Sequence, residues 1–456
     1  RELALTASLG VAVLIGTNLI LLPVLLSYIG VSPAAAQRSL KEEQEGGKGV
    51  MGAVWSTLDR FTERRWAGTA IAAAVVFGVL GYIHSEKLKV GDLDAGAPEL
   101  RPDSRYNRDN AFITSNYGIS SDVFAVMVKT KPDECRSFET LTETDRLSWA
   151  LAQVPGVQRT VSLADTVRAY TSGGMEGNPK WMTISDNQAL IDPQINNALN
   201  WNSEFINAQC SMLPVLAFLS DHKAETLDRV VQAARAFAAA HDTKDRKFLL
   251  AAGSSGVDAA TNIVVKQANR TMLFYVYGAV ILLCAITFRS WRAVIVAVLP
   301  LVLTSILAEA LMVQLGIGVK VATLPVVALG VGIGVDYALY LLSVQLSLQR
   351  QGLSLGEAYR KAVAFTGKVV GLVGVTLAAG VVTWAWSPIK FQADMGILLT
   401  FMFVWNMLGA LILIPALSHF LLRDVHRQAK RVEMPEAGND AETVEEPQAQ
   451  RKYQVG

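Results

Sequence analysis

Seven stretches of mostly apolar residues, each roughly 18 residues or longer, recur near 3–29, 67–84, 271–288, 291–314, 321–346, 368–386 and 395–422. A helix of that length crosses a hydrocarbon core of about 30 Å. Lipid tolerates such a crossing only where the backbone satisfies its own hydrogen bonds. The chain therefore reads as a polytopic α-helical membrane protein. Composition agrees, with 51% of the 456 residues hydrophobic and 18% charged, against about 25% charged in soluble domains. A net charge of +1 offers nothing to nucleic acid. Between the second and third stretches lies a block, 85–270, of ordinary globular composition.

The short loops set the orientation. Arg60, Arg64 and Arg65 precede the second stretch, and Arg289 and Arg292 fill the turn FRSWR. Arg350, Arg360, Lys361 and Lys368 precede the sixth stretch, and Arg423, Arg427, Lys430 and Arg431 follow the last. Basic loop residues mark the cytoplasmic side, which puts 85–270 and residue 1 on the other. NLILLPVLLSY (18–28) resembles ALILIPALSHF (410–420), with Pro23 and Pro415 in register and Glu2 opposite Asp394. Residues 1–30 thus read as the last transmembrane span of a preceding, homologous half; chance likeness between two Leu/Ile-rich spans is the other reading. Residues 31–66 follow as a cytoplasmic amphipathic connector, 67–84 as a span and 85–270 as the external domain. A five-span bundle occupies 271–422, and 423–456 is an acidic tail read as disordered. A second amphipathic stretch, 352–368, is expected at the membrane surface beside 50–66.

In the external block, SDVFAVMVKT (121–130), VQRTVS (157–162), MLPVLAFLS (212–220) and KFLLAAG (247–253) carry strand signals. Helical stretches near 137–153 and 223–241 separate them in pairs. Two β-α-β passes with an insertion at about 165–210 predict an α+β domain. Tyr170, Met175, Trp181, Met182 and Trp201 of the insertion either line a greasy cleft or form ordinary core. Cys135 and Cys210 both lie in this block, where an oxidising compartment permits a disulfide; their spacing does not establish one.

The stretch ALGVGIGVDYALYLL (328–342) places one acid, Asp336, beside Tyr337 within a span. An ionisable group there costs about 2.5–3.5 kcal/mol by the lower estimates and usually serves an ion or substrate path. A carboxyl stripped of water favours its neutral form, which suits loading a proton on one side and releasing it on the other. Tyr337 would assist by hydrogen bonding. Glu309, in SILAEALMV, is a second candidate, and Thr376 or Thr383 would bond a neighbouring acid. Asp336 could instead only join helices through a polar partner. Gly330, Gly334 and Ala338 recur every fourth residue as a close-packing face, and Gly367, Gly371 and Gly374 give the sixth span a similar surface. GVGIGVD is not a nucleotide loop, because it sits inside a span and no GK[ST] occurs. Neither metal-ligand spacing nor a catalytic triad is legible, so the chain is not read as an enzyme and no cofactor is called for.

One span, a large external block and then five spans, with FRSWRAVIVAVLPL opening the third-to-fourth hairpin and VVALGVGIGVDYALYLL in the next span, resembles the resistance–nodulation–division (RND) transporter superfamily. The nearest branch is the MMPL-like hydrophobe and lipid exporters, and the likeness covers 1–422. The resemblance implies that Asp336 and Tyr337 belong to a proton relay completed by a pair from a first half. It also implies periplasmic porter subdomains of β-α-β type in 85–270 and residence in a bacterial inner membrane. Export of a hydrophobic or lipid-like substrate by proton antiport is expected, by an oligomer or with an accessory periplasmic protein. Two rivals stand beside it: a non-transporting sensor or assembly scaffold of the same fold, and an intramembrane protease pairing Asp336 with Glu309.

Overall fold

The computed structural model describes residues 2–30, 32, 50–117 and 120–422. The tail 423–456 and nearly all of the connector between 31 and 49 lie outside the described residues. Helices α1 (Glu2–Gly16) and α2 (Leu22–Ile29) join through a π-helical turn, Thr17–Leu21. Then come α3 (Val50–Asp59), α4 (Arg64–Ser85) and α5 (Arg105–Tyr117). The next block holds β1 (Val123–Lys129), α6 (Phe138–Ala152), β2 (Val157–Ser162), α7 (Leu163–Gly174), α8 (Gln188–Trp201), β3 (Met212–Leu219), α9 (Ala224–His241) and β4 (Lys247–Ala252). The chain ends in α10 (Ser254–Phe288), α11 (Trp291–Leu315), α12 (Leu324–Arg350), α13 (Leu355–Ala362), α14 (Lys368–Val382) and α15 (Lys390–Leu421).

Among the described residues, 7 helices are long and apolar enough to cross a membrane: Ser8–Ile29, Arg64–Ser85, Ser254–Phe288, Trp291–Leu315, Leu324–Arg350, Leu355–Trp386 and Lys390–Leu421. The protein is a multi-pass helical membrane protein. The first span stands clear of the rest, with none of its apolar window buried, whereas half of the window is buried in α12 and in α15. The bundle core is built from Cys284 and Phe288 of α10, Ala297 and Leu301 of α11, Leu341 and Leu342 of α12, and Ile414 of α15. The stretch at 352–368 is no separate surface helix. Ser354 caps α13 with a full capping box, and a π turn, Val363–Gly367, carries it straight into α14. Tyr359 of α13 is buried and donates to Leu411 O at 2.6 Å, drawing the helix into the bundle.

The four strands form an antiparallel sheet in the order β2-β3-β1-β4. Each β-α-β pass leaves room for one strand of the other, so the two passes interleave. Strand β3 alternates strictly, with Leu213, Val215, Ala217 and Leu219 buried, and packs its inner face on α6 and α9. Cys135 and Cys210 are bonded, with Cα atoms 5.2 Å apart and a sequence separation of 75. The insertion makes a second small core, from Leu163, Val167, Ile191, Ile195 and Phe205. Its large apolar residues divide between two cavities: Met175 and Trp181 line one, Tyr170 and Trp201 the other.

No break occurs at residue 270, where the sequence suggests a domain boundary. Helix α10 begins one residue after β4 and runs 35 residues without interruption. That is about 52 Å of helix, so roughly 20 Å of it stands beyond a 30 Å hydrocarbon core.

Candidate functional site

Helix α12 starts from a knot of hydrogen bonds. The Thr323 hydroxyl is buried, donates to Gly318 O at 3.0 Å and accepts from Lys320 N at 3.0 Å. Below it, Gly330 and Gly334 face inward. A Cβ at Gly330 would strike Met402 of α15, and one at Gly334 would strike Asn406 and Leu301. Asn406 Nδ2 donates to Gly330 O at 2.7 Å. Ala338 continues the face at 2% exposure. The small residues let α11 and α15 close on α12.

Asp336 lies two residues beyond Gly334, about 200° around the helix, and so points out of the bundle. Gly332, Asp336, Tyr340, Ser343 and Ser347 form one exposed row, and among the described residues no hydrogen bond or ion pair engages Asp336. Tyr337 turns the other way. It is 1% exposed in the bundle core, with no partner for its hydroxyl. The adjacent acid and phenol therefore serve different faces of one helix, about 100° apart.

The remaining candidates do not gather around Asp336. Glu309 is half-buried on α11 without a hydrogen bond, close enough to Tyr277 to influence it electrostatically. Tyr277 itself is held by Ser305 at 2.7 Å and Leu301 O at 3.2 Å. Counting turns from the helix ends at 315 and 324, Glu309 sits about 9 Å nearer the sheet than Asp336. Thr376 is exposed on α14, and its hydroxyl donates back to Leu372 O of its own helix at 2.8 Å. Gly371 is not a packing glycine either, since a Cβ there would meet open space. Gly374 makes the close contact between helices, against Met407, whereas a Cβ at Gly367 would meet Val363 of its own turn. Asp394 is buried, with Lys390 at 3.5 Å.

The sheet domain grips the bundle at two loops. Val90 bridges Val319 in parallel, with Gly91 N donating to Val319 O at 2.8 Å and Val319 N to Lys89 O at 3.0 Å. Gly318 passes so close to Gly91 O that no side chain fits between them. Lys320 pairs with Asp92 at 3.2 Å, while Asp92 O accepts from Ala224 N at the head of α9. The second grip holds the α14–α15 turn. Arg101 donates to Ala385 O at 2.8 Å and Ser387 O at 3.0 Å, and Lys390 pairs with Asp94 at 2.6 Å. The first grip leads directly into α12. Beside it, His222 is buried with Nδ1 3.1 Å from Asp122. Burial opposes its charge, but the Asp122 hydrogen bond, with the charges of Asp122, Asp92 and Asp258, outweighs that and holds the imidazole above its ordinary 6.5.

At the far end of the bundle, Arg360 pairs with Asp59 at 3.1 Å, Arg350 donates to Phe288 O, and His419 bonds Thr62 O. Buried Asn406, Gln345 and Gln349 had escaped notice in the sequence; a lone amide in FMFVWNMLGALIL and two glutamines four residues apart were the available signals.

Two likenesses bear on this arrangement. The putative membrane protein MJ1562 of Methanocaldococcus jannaschii is 26% identical over 153 residues, 34% of this chain and 39% of that protein. The chain thus spans about two fifths of the length of that relative. Residues 209–439, from β3 through every helix of the bundle core, match the MMPL family. With just over half of its length matched, the chain belongs to the MMPL family.

Proposed function

We propose that the chain forms one half of a proton-driven exporter of hydrophobic or lipid-like molecules. The exposed row through Asp336 carries this reading. A polar stripe with an ionisable group cannot rest against lipid at low cost, so a second bundle, from a preceding half or another copy, covers it and completes the relay. Asp336 takes up a proton from the sheet side and releases it at the basic end. Each proton descending the potential contributes about 2.3 kcal/mol per 100 mV.

The basic residues gathered at the end away from the sheet support a cytoplasmic position for that end, and in this reading the sheet domain stands in the periplasm of a bacterial inner membrane. The grip of residues 89–92 on the α11–α12 loop gives movement of α12 a direct route to the sheet domain. Apolar space suited to an acyl chain exists between α4, α11 and α15, where Trp66, Phe77 and Trp405 wall a 410 Å³ groove floored by Ala70, Ala73 and Gly409. Export by the full-length protein carrying Asp336→Asn, measured in vesicles with an imposed proton gradient, tests the reading. Loss of export with normal membrane insertion is expected; export at the unmodified rate overturns it.

A further inference from the structure

Helix α4 meets its neighbours unevenly along its length. In the half nearer the sheet domain it lies tight against α11: a Cβ at Gly81 would strike Leu307 at 3.0 Å, and one at Gly78 would touch Leu303 at 3.4 Å. There Phe77 meets Trp405 of α15 edge to face at 6.2 Å, and Trp405 stacks on Phe401 at 5.6 Å. Below Phe77 the helices part. The small side chains of Ala70, Ala73 and Ala74 floor the 410 Å³ groove, which runs down to Phe61 and Trp66, themselves edge to face at 6.2 Å.

Length and width select what this groove can hold. From Trp66 to Phe77 the helix rises about 16 Å, close to the depth of one leaflet of a 30 Å hydrocarbon core. Spread over that rise, 410 Å³ leaves a passage about 25 Å² in section. A helix about 10 Å across needs roughly 80 Å², so a span from a second copy or a preceding half does not fit. A single extended acyl chain does. The Thr69 hydroxyl in the wall donates to Trp66 O of its own helix at 2.9 Å, which leaves the groove nothing to offer a polar tail.

Charge gathers only at the mouth. Arg60 adjoins Phe61, and Arg64 and Arg65 stand in the first turn of α4, directly before Trp66. All three are exposed, and among the described residues none has an ion pair. Of the acids beside them, Asp59 is held by Arg360 at 3.1 Å and Glu63 offsets one charge, so the mouth stays positive. Arginines at a membrane surface attract anionic lipid, and tryptophan settles at headgroup level.

We propose that the groove binds an anionic phospholipid from the leaflet at the basic end, with one acyl chain along Ala70, Ala73 and Ala74 and the headgroup phosphate among Arg60, Arg64 and Arg65. The site depends on the groove and its mouth and needs neither a proton nor transport.

Tryptophan fluorescence of the full-length protein in phosphatidylcholine vesicles, with a small fraction of lipid brominated along its acyl chains as quencher, tests it. Brominated phosphatidylglycerol is expected to quench at a severalfold lower mole fraction than brominated phosphatidylcholine. The Trp66→Phe, Trp405→Phe double variant should erase that difference, and the Arg60→Gln, Arg64→Gln, Arg65→Gln triple variant should shrink it severalfold. Equal quenching by the two lipids in the unmodified protein overturns the proposal, and this arm decides alone should a variant fail to insert. A difference undiminished without the two tryptophans puts the lipid elsewhere and overturns it too, as does one undiminished without the three arginines. Asp336→Asn separates this site from the export reading. Lost export in that variant, with equal quenching in the unmodified protein, removes the site and keeps the proton; normal export with the difference intact does the reverse.

Discussion

In the sheet domain Glu143 is 8% exposed and is held from both sides, by Arg146 at 2.6 Å and by His241 at 2.7 Å. Buried Arg246 has Glu139, and buried His222 has Asp122. Along α12 the Asp336 carboxyl, the Tyr337 hydroxyl and the Gln345 and Gln349 amides have no hydrogen-bond partner among the described residues, although an unmet polar group costs more within a membrane. The contrast separates two uses of polarity. A group whose partner is fixed within the fold holds that fold in one arrangement. A group left open in an apolar setting is a place for something that comes and goes, such as a proton or a second bundle.

The largest test of this contrast sets two carboxyls against each other. Asp336→Asn should reduce export to background while leaving the melting temperature almost unchanged. Glu143→Ala should do the opposite, lowering stability by about 1–3 kcal/mol as His241 and Arg146 lose their acceptor, with export per folded molecule retained. Equal effects on export would erase the distinction. Next comes Gly334→Leu, which forces a side chain against Asn406 and Leu301 and should cost about 1–3 kcal/mol, read as a lower melting temperature in detergent.

A smaller effect concerns His222. Its folded pKa is raised above 6.5 despite burial, through Asp122 and its acidic neighbours. The stability it contributes is therefore complete below 6.5 and lost as pH climbs through the raised value. Melting curves from mildly acid to mildly alkaline buffer should show that loss, and His222→Gln should flatten it. The smallest change is Gly371→Ala, which meets open space and should stabilise α14 by about 0.5–1 kcal/mol; a loss of that size would return Gly371 to the packed face.

The spans were legible because length and hydropathy are local properties, and strand alternation located β1 to β4 within a residue or two for the same reason. The boundary expected at 270 was not, since polarity changes along TNIVVKQANRTM while the helical backbone continues through it. Four-residue spacing identified the Gly330–Gly334–Ala338 face, yet Met402 and Asn406, which fill it, lie some 70 residues away in sequence, and no local pattern names them. Gly367, which ends the turn before α14, and Gly374 are seven residues apart and share a side, which turns Gly371 aside and Thr376 nearly opposite. The same rotation, applied from Gly334, places Asp336 outward, so that much was implicit in the spacing.

Helix α10 joins β4 to the bundle through one residue, Gly253, with no flexible linker. A rod of about 52 Å magnifies small angles. A tilt of about 5° near its lower end carries the upper end through roughly 4–5 Å, close to the spacing between neighbouring strands. Because the lower half is packed among spans and the upper end abuts the sheet, a rearrangement too small to disturb the bundle core is enough to shift the sheet by the width of one strand.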